Sequence, residues 1–193
     1  MMTERRREKF LSVLQHRQPD VTLVMEDIHD PHNVSAVLRT ADAVGLLEVQ
    51  LVYDKEAFPK LGKKSSASAV KWVQRRKFTS IKECYDQLHE EEFTIYATQI
   101  GAKSKSIYDI DCTKKIAFVF GNEHRGVSKE AAKLADRLIE IPMMGMIQSL
   151  NVSVACAVTL YEALRQRSVA GMYDTSSMPD AVIKKLFDEW MKK

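Results

Sequence analysis

The sequence is poor in cysteine, with only Cys84, Cys112 and Cys156 among its 193 residues. Their number is odd, they are far apart, and their spacing is not that of zinc ligands. This pattern argues against a disulfide framework and against a zinc site. We therefore expect a protein of a reducing compartment, with no bound metal, in which the cysteines are small core or surface residues.

Long hydrophobic runs are also missing. No apolar stretch approaches the roughly 20 residues that a transmembrane helix needs. The N-terminal segment "MMTERRREKF" lacks the apolar core of a signal peptide. We expect a cytoplasmic protein without membrane contact. With 45% hydrophobic residues, the chain is long enough for one domain with a sizeable core.

Acidic residues are absent between Ala57 and Lys82, where eight lysines and arginines lie. A second basic cluster, "RRREK", lies near the N-terminus. Basic surface attracts the phosphate chain of a nucleic acid through counterion release. The alternative is a solvated face that the acidic stretch 83–92 balances, and charge alone favours neither interpretation.

Short apolar strand patterns alternate with helical patterns along the chain. This alternation predicts an α/β domain with a mostly parallel sheet covered by helices on both faces. The predicted strands are "VTLVME", "EVQLVY", a basic strand around Trp72 and Val73, "FTIYATQI", "KKIAFVFG" and "RLIEIP". The predicted helices are "TERRREKFLSVLQHR", "VSAVLRTADAV", a short Ser/Ala helix after the lysine-rich loop, "SIKECYDQLHEE", "SKEAAKLA", a helix from Val152 and "MPDAVIKKLFDEWMKK".

Two loops at the carboxyl ends of strands carry candidate functional residues, because ligands of open α/β sheets bind there. In the first loop, Asn33 is a candidate helix N-cap. Arg39 projects opposite the apolar stripe of that helix, where a surface ion pair with Asp42 is the simpler role. The second loop, "FVFGNEHRGVS", matches neither the dinucleotide fingerprint nor the P-loop, and its Ser128 can cap the next helix.

The third loop, "IPMMGMIQSLNVSVA", precedes a helix so apolar that we expect it to be buried on all sides. Water alone could not then satisfy the first turn of that helix. Ser149 and Asn151 either cap the helix or meet a ligand. For a flat ring such as adenine, the apolar walls would be Ile141, Met143, Met146 and Leu150.

The segments "NVSAVLRTADAVG", "FGNEHRGVS" and "IPMMGMIQSLNVSVACAVTLYE" together resemble the three motifs of the SpoU/TrmH family of RNA ribose 2′-O-methyltransferases. The resemblance spans residues 18–173 and implies a Rossmann-like sheet with a C-terminal deep trefoil knot. General rules of chain topology would exclude a knot, so it rests on the resemblance alone. The resemblance also implies one domain over residues 1–193, with a basic N-terminal helix at 1–17 and a C-terminal arm at 168–193 as tRNA-binding extensions.

The resemblance further implies S-adenosylmethionine as the cofactor and a homodimer whose active site lies near the subunit interface, with no metal. The implied catalytic residues are Arg39, Asn33, Glu123, Ser149 and Asn151. The implied cofactor-binding residues, which act largely through the main chain, are Thr98, Gly121, Ile141, Met146 and Leu150.

The substrate that the resemblance implies is tRNA. The segment "YEALRQRSVAGMY" and the two terminal arms are similar to those of the branch that methylates guanosine-18 of the D-loop. Ribosomal-RNA and wobble-position ribose methylation, and a non-catalytic RNA-binding module, remain alternatives; the last is disfavoured because all five implied catalytic residues are present. The implied RNA-binding residues are Arg5, Arg6, Arg7, Arg17, Arg165 and Arg167.

The chemistry of such a site requires in-line positioning and the removal of one proton, because a protonated ribose 2′-hydroxyl is a poor nucleophile. Two roles for Arg39 remain open. It is either the base, which demands a large perturbation of a pKa above about 12, or a charged clamp for the adjacent phosphate and the developing alkoxide.

Overall fold

The computed structural model, which describes residues 3–59 and 69–193, contains a seven-stranded sheet in which every strand pair is parallel. The strand order is β3-β2-β1-β6-β4-β7-β5. This arrangement confirms the predicted parallel α/β sheet. The strands are β1 (Val21–Glu26), β2 (Glu48–Val52), β3 (Gln74–Phe78), β4 (Thr94–Thr98), β5 (Lys105–Ser106), β6 (Ile116–Phe120) and β7 (Arg137–Glu140).

The helices follow the predicted order along the described residues. A short 3₁₀ turn, Ala69–Lys71, precedes β3, so the prediction of a strand at Trp72 and Val73 is wrong by two residues. The predicted Ser/Ala helix falls largely on residues 60–68, outside the described part. The α-helices are α1 (Glu4–Gln15), α2 (Pro31–Ala43), α3 (Ile81–Glu90), α4 (Lys129–Leu134), α5 (Val152–Val169) and α6 (Asp180–Trp190).

Two hydrophobic layers cover the two faces of the sheet. Helices α2 and α5 contribute Leu38 and Leu160 to one layer, and α3 and α4 contribute Leu88 and Ala131 to the other. Strands β1 and β6 are buried at every position, as expected for parallel strands with both faces covered. Each fully buried large aliphatic or phenylalanine side chain stabilises the fold by about 1.5–3 kcal/mol. All three cysteines are free and buried, so they are core residues.

The two terminal helices pack against each other beside the sheet. Phe10 of α1 contacts Trp190 of α6 edge-on, with 5.6 Å between ring centroids. Trp72, just before β3, completes the cluster at 5.0 Å from Trp190. Helices α1 and α6 therefore form one unit with the residues just before β3.

The first turn of α2 differs from its prediction. Asp30 is the N-cap, and its carboxylate accepts a hydrogen bond from the His32 amide at 2.8 Å. Pro31 occupies the first helical position, which proline favours because its φ is already helical and it needs no hydrogen-bond acceptor. Asn33 is therefore not a cap, and it lies buried inside the first turn.

Helix α5 is not buried on all sides in the single chain. The sheet and α2 cover one face, whereas Val154, Tyr161 and Val169 are exposed. The prediction counted apolar residues and assumed that each was covered within the chain. The predicted cap is confirmed, since the Asn151 side chain accepts a hydrogen bond from the Ser153 amide at 2.9 Å.

Across residues 3–59 and 69–193, no helix is long and apolar enough to cross a membrane. The same residues contain no group of three His, Cys, Asp or Glu side chains that could hold a metal ion.

Candidate active site

A cavity of about 680 Å³ opens at the carboxyl ends of β4, β6 and β7. This edge is where open α/β sheets bind ligands. Four of the predicted cofactor residues line the cavity, because each lies where a strand ends or a helix begins. They are Thr98, Gly121, Ile141 and Leu150.

The cavity wall combines apolar side chains with polar ones such as Glu123, Gln148 and Asn151. Phe120, Ile139 and Val152 contribute side chains to the wall. The Thr98 hydroxyl is already engaged, because it donates to the Val119 carbonyl at 2.8 Å. The Thr98 hydroxyl therefore does not have its hydrogen free to donate to a ligand.

Met146 does not line the cavity, contrary to the prediction. Its side chain is 99% exposed, and Met143 occupies the wall instead. The loop between β7 and α5 bends at Gly145 and Met146. Met144 and Ile147 are exposed with Met146.

Two glycines close the loop after β6. The Gly126 amide donates to the Asn122 carbonyl at 2.8 Å, and Gly126 has a φ of 67°, a left-handed conformation that favours glycine. A Cβ atom at Gly121 would lie 2.1 Å from the Gly126 carbonyl oxygen. Any side chain at position 121 would therefore displace the loop at Gly126, which lines the cavity.

Hydrogen bonds join the three candidate loops at the mouth of the cavity. The Glu123 carboxylate accepts from the amides of His29 and Asp30 at 3.0 and 3.1 Å, and from the Asn33 side chain at 2.9 Å. The Asn151 side-chain amide in turn donates to Asn33 Oδ1 at 3.1 Å. We call this chain the Glu123–Asn33–Asn151 network. It brings together three of the five predicted catalytic residues from three separate elements.

Asn151 connects this network to the start of α5. Its Oδ1 atom accepts from the Ser153 amide and hydroxyl, so the side chain caps the helix and bonds Asn33 simultaneously. Ser149 lines the cavity and is exposed, and its hydroxyl has no hydrogen-bond partner among the described residues. The Ser149 hydroxyl is thus available to a ligand. In Asn151, by contrast, both the oxygen and the nitrogen of the side-chain amide already have hydrogen-bond partners.

The network lowers the pKa of Glu123. Burial raises this pKa, but the hydrogen bonds from Asn33 and from the main-chain amides of residues 29, 30 and 123 outweigh that effect. The carboxylate therefore stays ionised at neutral pH and is a poor proton acceptor. Its evident role is to hold the loop before α2 and to orient the Asn33 amide.

Glu123→Gln is expected to reduce stability at neutral pH by about 1–2 kcal/mol, because hydrogen bonds to a charged acceptor are stronger than those to a neutral one. The folded-state pKa lies below its ordinary 4.5, so this stabilisation is complete above that value and is lost as pH falls through the folded pKa. In urea unfolding, the free energies of wild type and variant should therefore converge as the pH falls below the folded-state pKa of Glu123. Glu90→Gln, at an exposed position, is the matched control. A stability difference between wild type and Glu123→Gln that persists in acid would contradict the role assigned to the Glu123 carboxylate.

Arg39 lies on the exposed side of α2 and does not line the cavity. The ion pair expected between Arg39 and Asp42 is wrong, because Asp42 pairs with Arg17 at 2.5 Å. In the described part of the chain no carboxylate lies within ion-pair distance of Arg39. The guanidinium is therefore available to a phosphate or to a partner.

Arg17 cannot serve as an RNA-binding residue in this fold. Its side chain is fully buried, pairs with Asp42 and donates to the Leu46 carbonyl at 2.7 Å. The guanidinium also lies 5.5 Å from the Trp190 ring centroid. Arg17 thus connects the end of α1 to α2 and α6, which corrects its predicted role.

Arg167 is likewise buried, and the prediction that it binds RNA is wrong for the same reason. It donates to the carbonyls of Cys112 and Lys114, each at 2.8 Å, and pairs with Asp20 at 2.7 Å. The last turn of α5 packs against the residues that precede β1 and β6, so a basic residue there faces inward. Sequence alone could not distinguish this inward arginine from Arg165, which is exposed beside Glu162.

The remaining predicted RNA-binding arginines, Arg5, Arg6 and Arg7 together with Arg165, are on the surface. The positive charge between Ala57 and Lys82 is partly neutralised, since Arg76 pairs with Glu48 and Glu91. Lys60, Lys63 and Lys64 lie outside the described residues. The exposed basic side chains at or beside the edge strand β3 are Lys71, Arg75 and Lys77.

Sequence analysis missed Asp27, which organises two loops near the cavity. Its φ of 51° is a left-handed conformation that aspartate tolerates better than most residues. Its Oδ1 atom accepts from the amides of residues 54–56, and its carbonyl accepts from the Asn122 side chain at 2.8 Å. An aspartate next to a strand end was the only available signal, and it is a weak one.

Comparison with models of known protein families matches residues 20–161 to the SpoU rRNA Methylase family. The chain belongs to the SpoU methylase family. The resemblance that the three sequence motifs indicated is thereby confirmed.

Among related proteins, a tRNA (guanosine(18)-2′-O)-methyltransferase of Thermus thermophilus is 46% identical over 191 residues, which cover 99% of this SpoU methylase and 98% of the relative. The crystal structure of the A. aeolicus TrmH/SpoU tRNA modifying enzyme superposes with a TM-score of 0.92 and 36% identity, covering 98% and 96% of the two chains. AviRb of Streptomyces viridochromogenes, solved in complex with AdoMet, has a TM-score of 0.70 and 25% identity, covering 80% of this chain and 59% of AviRb.

Proposed function

We propose that this SpoU methylase transfers a methyl group from S-adenosylmethionine to the ribose 2′-hydroxyl of guanosine-18 in tRNA. The observation that carries the proposal is the large cavity with the Glu123–Asn33–Asn151 network at its mouth. The name of the Thermus thermophilus relative supports the choice of substrate, since that relative matches over nearly the full length of both chains.

The cavity suits S-adenosylmethionine in volume and in chemistry. Its 680 Å³ lies within the range of about 300–1,000 Å³ that is usual for small-molecule sites. Ile141 and Leu150 would enclose the adenine ring, while main-chain groups beside Thr98 and Gly121 would bind its polar edge. When bound, the cofactor supplies a methyl group already activated by the sulfonium charge.

The residues at the mouth would position the ribose. Ser149 offers a free hydroxyl, and the Asn33 amide is held in one orientation by Glu123. Fixed orientation lowers the barrier because reacting atoms no longer have to find each other by diffusion. For Arg39 we favour the charged clamp, because its guanidinium is exposed and has no carboxylate partner among the described residues, so it can bind the phosphate beside the target ribose.

We propose that two copies of the chain complete the site. Val154 and Tyr161 of α5 are exposed together with Met144, Met146 and Ile147 of the preceding loop. Exposed apolar side chains of this number at one helix and the loop before it are typical of a subunit interface. Arg39 does not line the cavity of its own chain, so a partner subunit would bring its own copy of this arginine to the site.

Mixed dimers of Arg39→Ala and Asn33→Ala are expected to recover activity, although each variant alone is inactive. If Arg39 serves the partner's cavity, one of the two sites in a mixed dimer retains both residues. The purified mixed dimer should then show about half of wild-type methyl transfer. Co-expression with two affinity tags and assay of the doubly tagged species tests this expectation. Doubly tagged dimers without activity would show that Arg39 acts within its own chain.

Transfer of labelled methyl groups to total tRNA and to ribosomal RNA tests the substrate. Label confined to guanosine-18 of tRNA supports the proposal. The description of the matched family names ribosomal RNA, so label in that fraction alone would favour ribosomal-RNA ribose methylation. Label at the wobble ribose of tRNA would favour wobble-position ribose methylation. Cofactor binding without any methyl transfer would favour a non-catalytic RNA-binding module.

We infer two further features from the family. The segment after β7 would pass through the loop after β6 as a trefoil knot, an inference supported by the lining of one cavity by both segments. The extensions 1–17 and 168–193 of the single domain 1–193 would bind tRNA through Arg5, Arg6 and Arg7, with Arg165 nearby. The packing of α1 on α6 supports their action as one unit. We infer that the protein acts in the cytoplasm.

A further inference from the structure

A second cavity of about 360 Å³ lies at the carboxyl ends of β1 and β2. The loop after β6 separates it from the first cavity, and residues Asn122, Arg125, Gly126 and Val127 line both. Nothing in the proposed cofactor site uses this second cavity. Its position lets one RNA strand at the mouth of the first cavity also reach the second.

Glu26 lines this cavity with a carboxylate that has spare hydrogen-bonding capacity. The side chain is only 8% exposed. Its Oε2 atom accepts from the Ser128 amide at 2.9 Å, whereas Oε1 has no donor among the described residues. Burying a carboxylate is costly unless donors compensate it. A ligand with N–H groups would supply the missing donors.

The second carboxylate in the cavity wall is already occupied. Asp27 Oδ1 accepts from the main-chain amides of residues 54–56, and Oδ2 lies 3.7 Å from the Arg125 guanidinium. Asp54 and Glu130 also line the cavity but are exposed, so Glu26 is the buried carboxylate of this wall that has a free oxygen atom.

The other walls suit a flat ring that carries a phosphate at its outer end. Val52, Ile81 and Val127 contribute apolar surface, and the exposed Lys55 and Lys129 contribute positive charge at the rim. The exposed Asp54 and Glu130 also line this cavity, but among the described residues no three His, Cys, Asp or Glu side chains are placed to hold a metal ion. A nucleotide fits both features, with its base towards Glu26 and its phosphodiester towards the lysines.

We propose that this second cavity binds a guanine base of the RNA substrate, with Glu26 accepting from the N1–H and N2 amino groups. The base belongs to the methylated nucleoside or to its immediate neighbour, and the proposal rests on the proposed function. Proteins read RNA bases that are unstacked from the strand through their Watson–Crick edges. Guanine alone among the four bases presents two adjacent donors on that edge, which a carboxylate matches.

The test uses full-length protein and tRNA transcripts in which inosine replaces guanosine, at the target position or at one neighbour at a time. Inosine lacks only the N2 amino group. At one position, this replacement should lower wild-type kcat/KM by about 10-fold or more. Glu26→Gln keeps an oxygen for the Ser128 amide but replaces an acceptor by a donor. The variant should react with guanosine at a similarly reduced rate and lose the preference for guanosine over inosine.

Glu90→Gln, the same chemical change on the exposed surface of α3, should leave both the rate and the preference unchanged. Thermal melting and cofactor binding of Glu26→Gln check that the fold and the first cavity persist. A Glu26→Gln enzyme that retains the wild-type preference at every position overturns this proposal. Wild-type enzyme that methylates no tRNA at all would instead contradict the proposed function.

Discussion

Arg39→Ala is expected to lose nearly all methyl transfer to tRNA and to keep its affinity for S-adenosylmethionine. The guanidinium projects from the exposed side of α2 and does not line the cofactor cavity, so its removal leaves the cavity walls intact. Loss of one preorganised group that stabilises a developing negative charge slows turnover by about 10²–10³-fold, and loss of the phosphate clamp adds to this. Single-turnover transfer and calorimetric titration with the cofactor measure the two effects separately.

Arg137→Ala is a suitable control because this exposed arginine lies at the amino end of β7, the end opposite the cavity. Arg39→Lys distinguishes a requirement for charge from a requirement for geometry. Lysine retains the charge but lacks the planar fork that binds two phosphate oxygens, so partial turnover is expected. Full turnover in Arg39→Ala would rule out both the clamp and the base.

Arg167→Ala is expected to lower the free energy of unfolding by about 3–5 kcal/mol, the usual effect of removing one partner from a buried ion pair. The substitution leaves two carbonyl oxygens and the Asp20 carboxylate without their donor. A domain of this size has a total stability of about 5–15 kcal/mol, so the loss is a large share. Urea unfolding followed by circular dichroism measures it.

Arg165→Ala on the same helix provides the matched comparison. Its ion pair with Glu162 is exposed on the arginine side, so its removal should change stability by less than about 1 kcal/mol. A structural role of Arg167 predicts a loss of stability in Arg167→Ala, whereas an RNA-binding role predicts a loss of tRNA affinity at normal stability. A variant of normal stability with a raised KM for tRNA would show that Arg167 binds RNA after all.

Local patterns in the sequence were sufficient to predict most of the secondary structure. Strands such as "KKIAFVFG" and helices such as "SIKECYDQLHEE" carry their periodicity within ten or so residues, and both lie where predicted. The N-cap of α2 was missed because Asp30 and Asn33 are equally good capping residues by type. Only the position of Pro31 and the bond from the His32 amide distinguish them.

The motifs indicate the candidate residues of the site, but not how these residues are arranged. Sequence spacing indicates nothing about which atoms of Glu123, Asn33 and Asn151 meet, since these residues are about 30 to 120 positions apart and come together only at one edge of the sheet. Met146 was assigned to the cavity because it is apolar and lies in the right loop. The path of the loop brings Met143 to the cavity wall and leaves Met146 exposed.

The sequence by itself determined that this is a parallel α/β protein of the SpoU methylase family, because strand and helix periodicities and the three motifs are written in consecutive residues. Only the tertiary structure decided which charged side chains are available to RNA. Arg17 and Arg167 look like Arg5 and Arg165 in the sequence, but long-range packing buries the first pair against carboxylates and carbonyls. A charge is functional or structural according to its burial and its partners, and both depend on contacts between residues far apart in the chain.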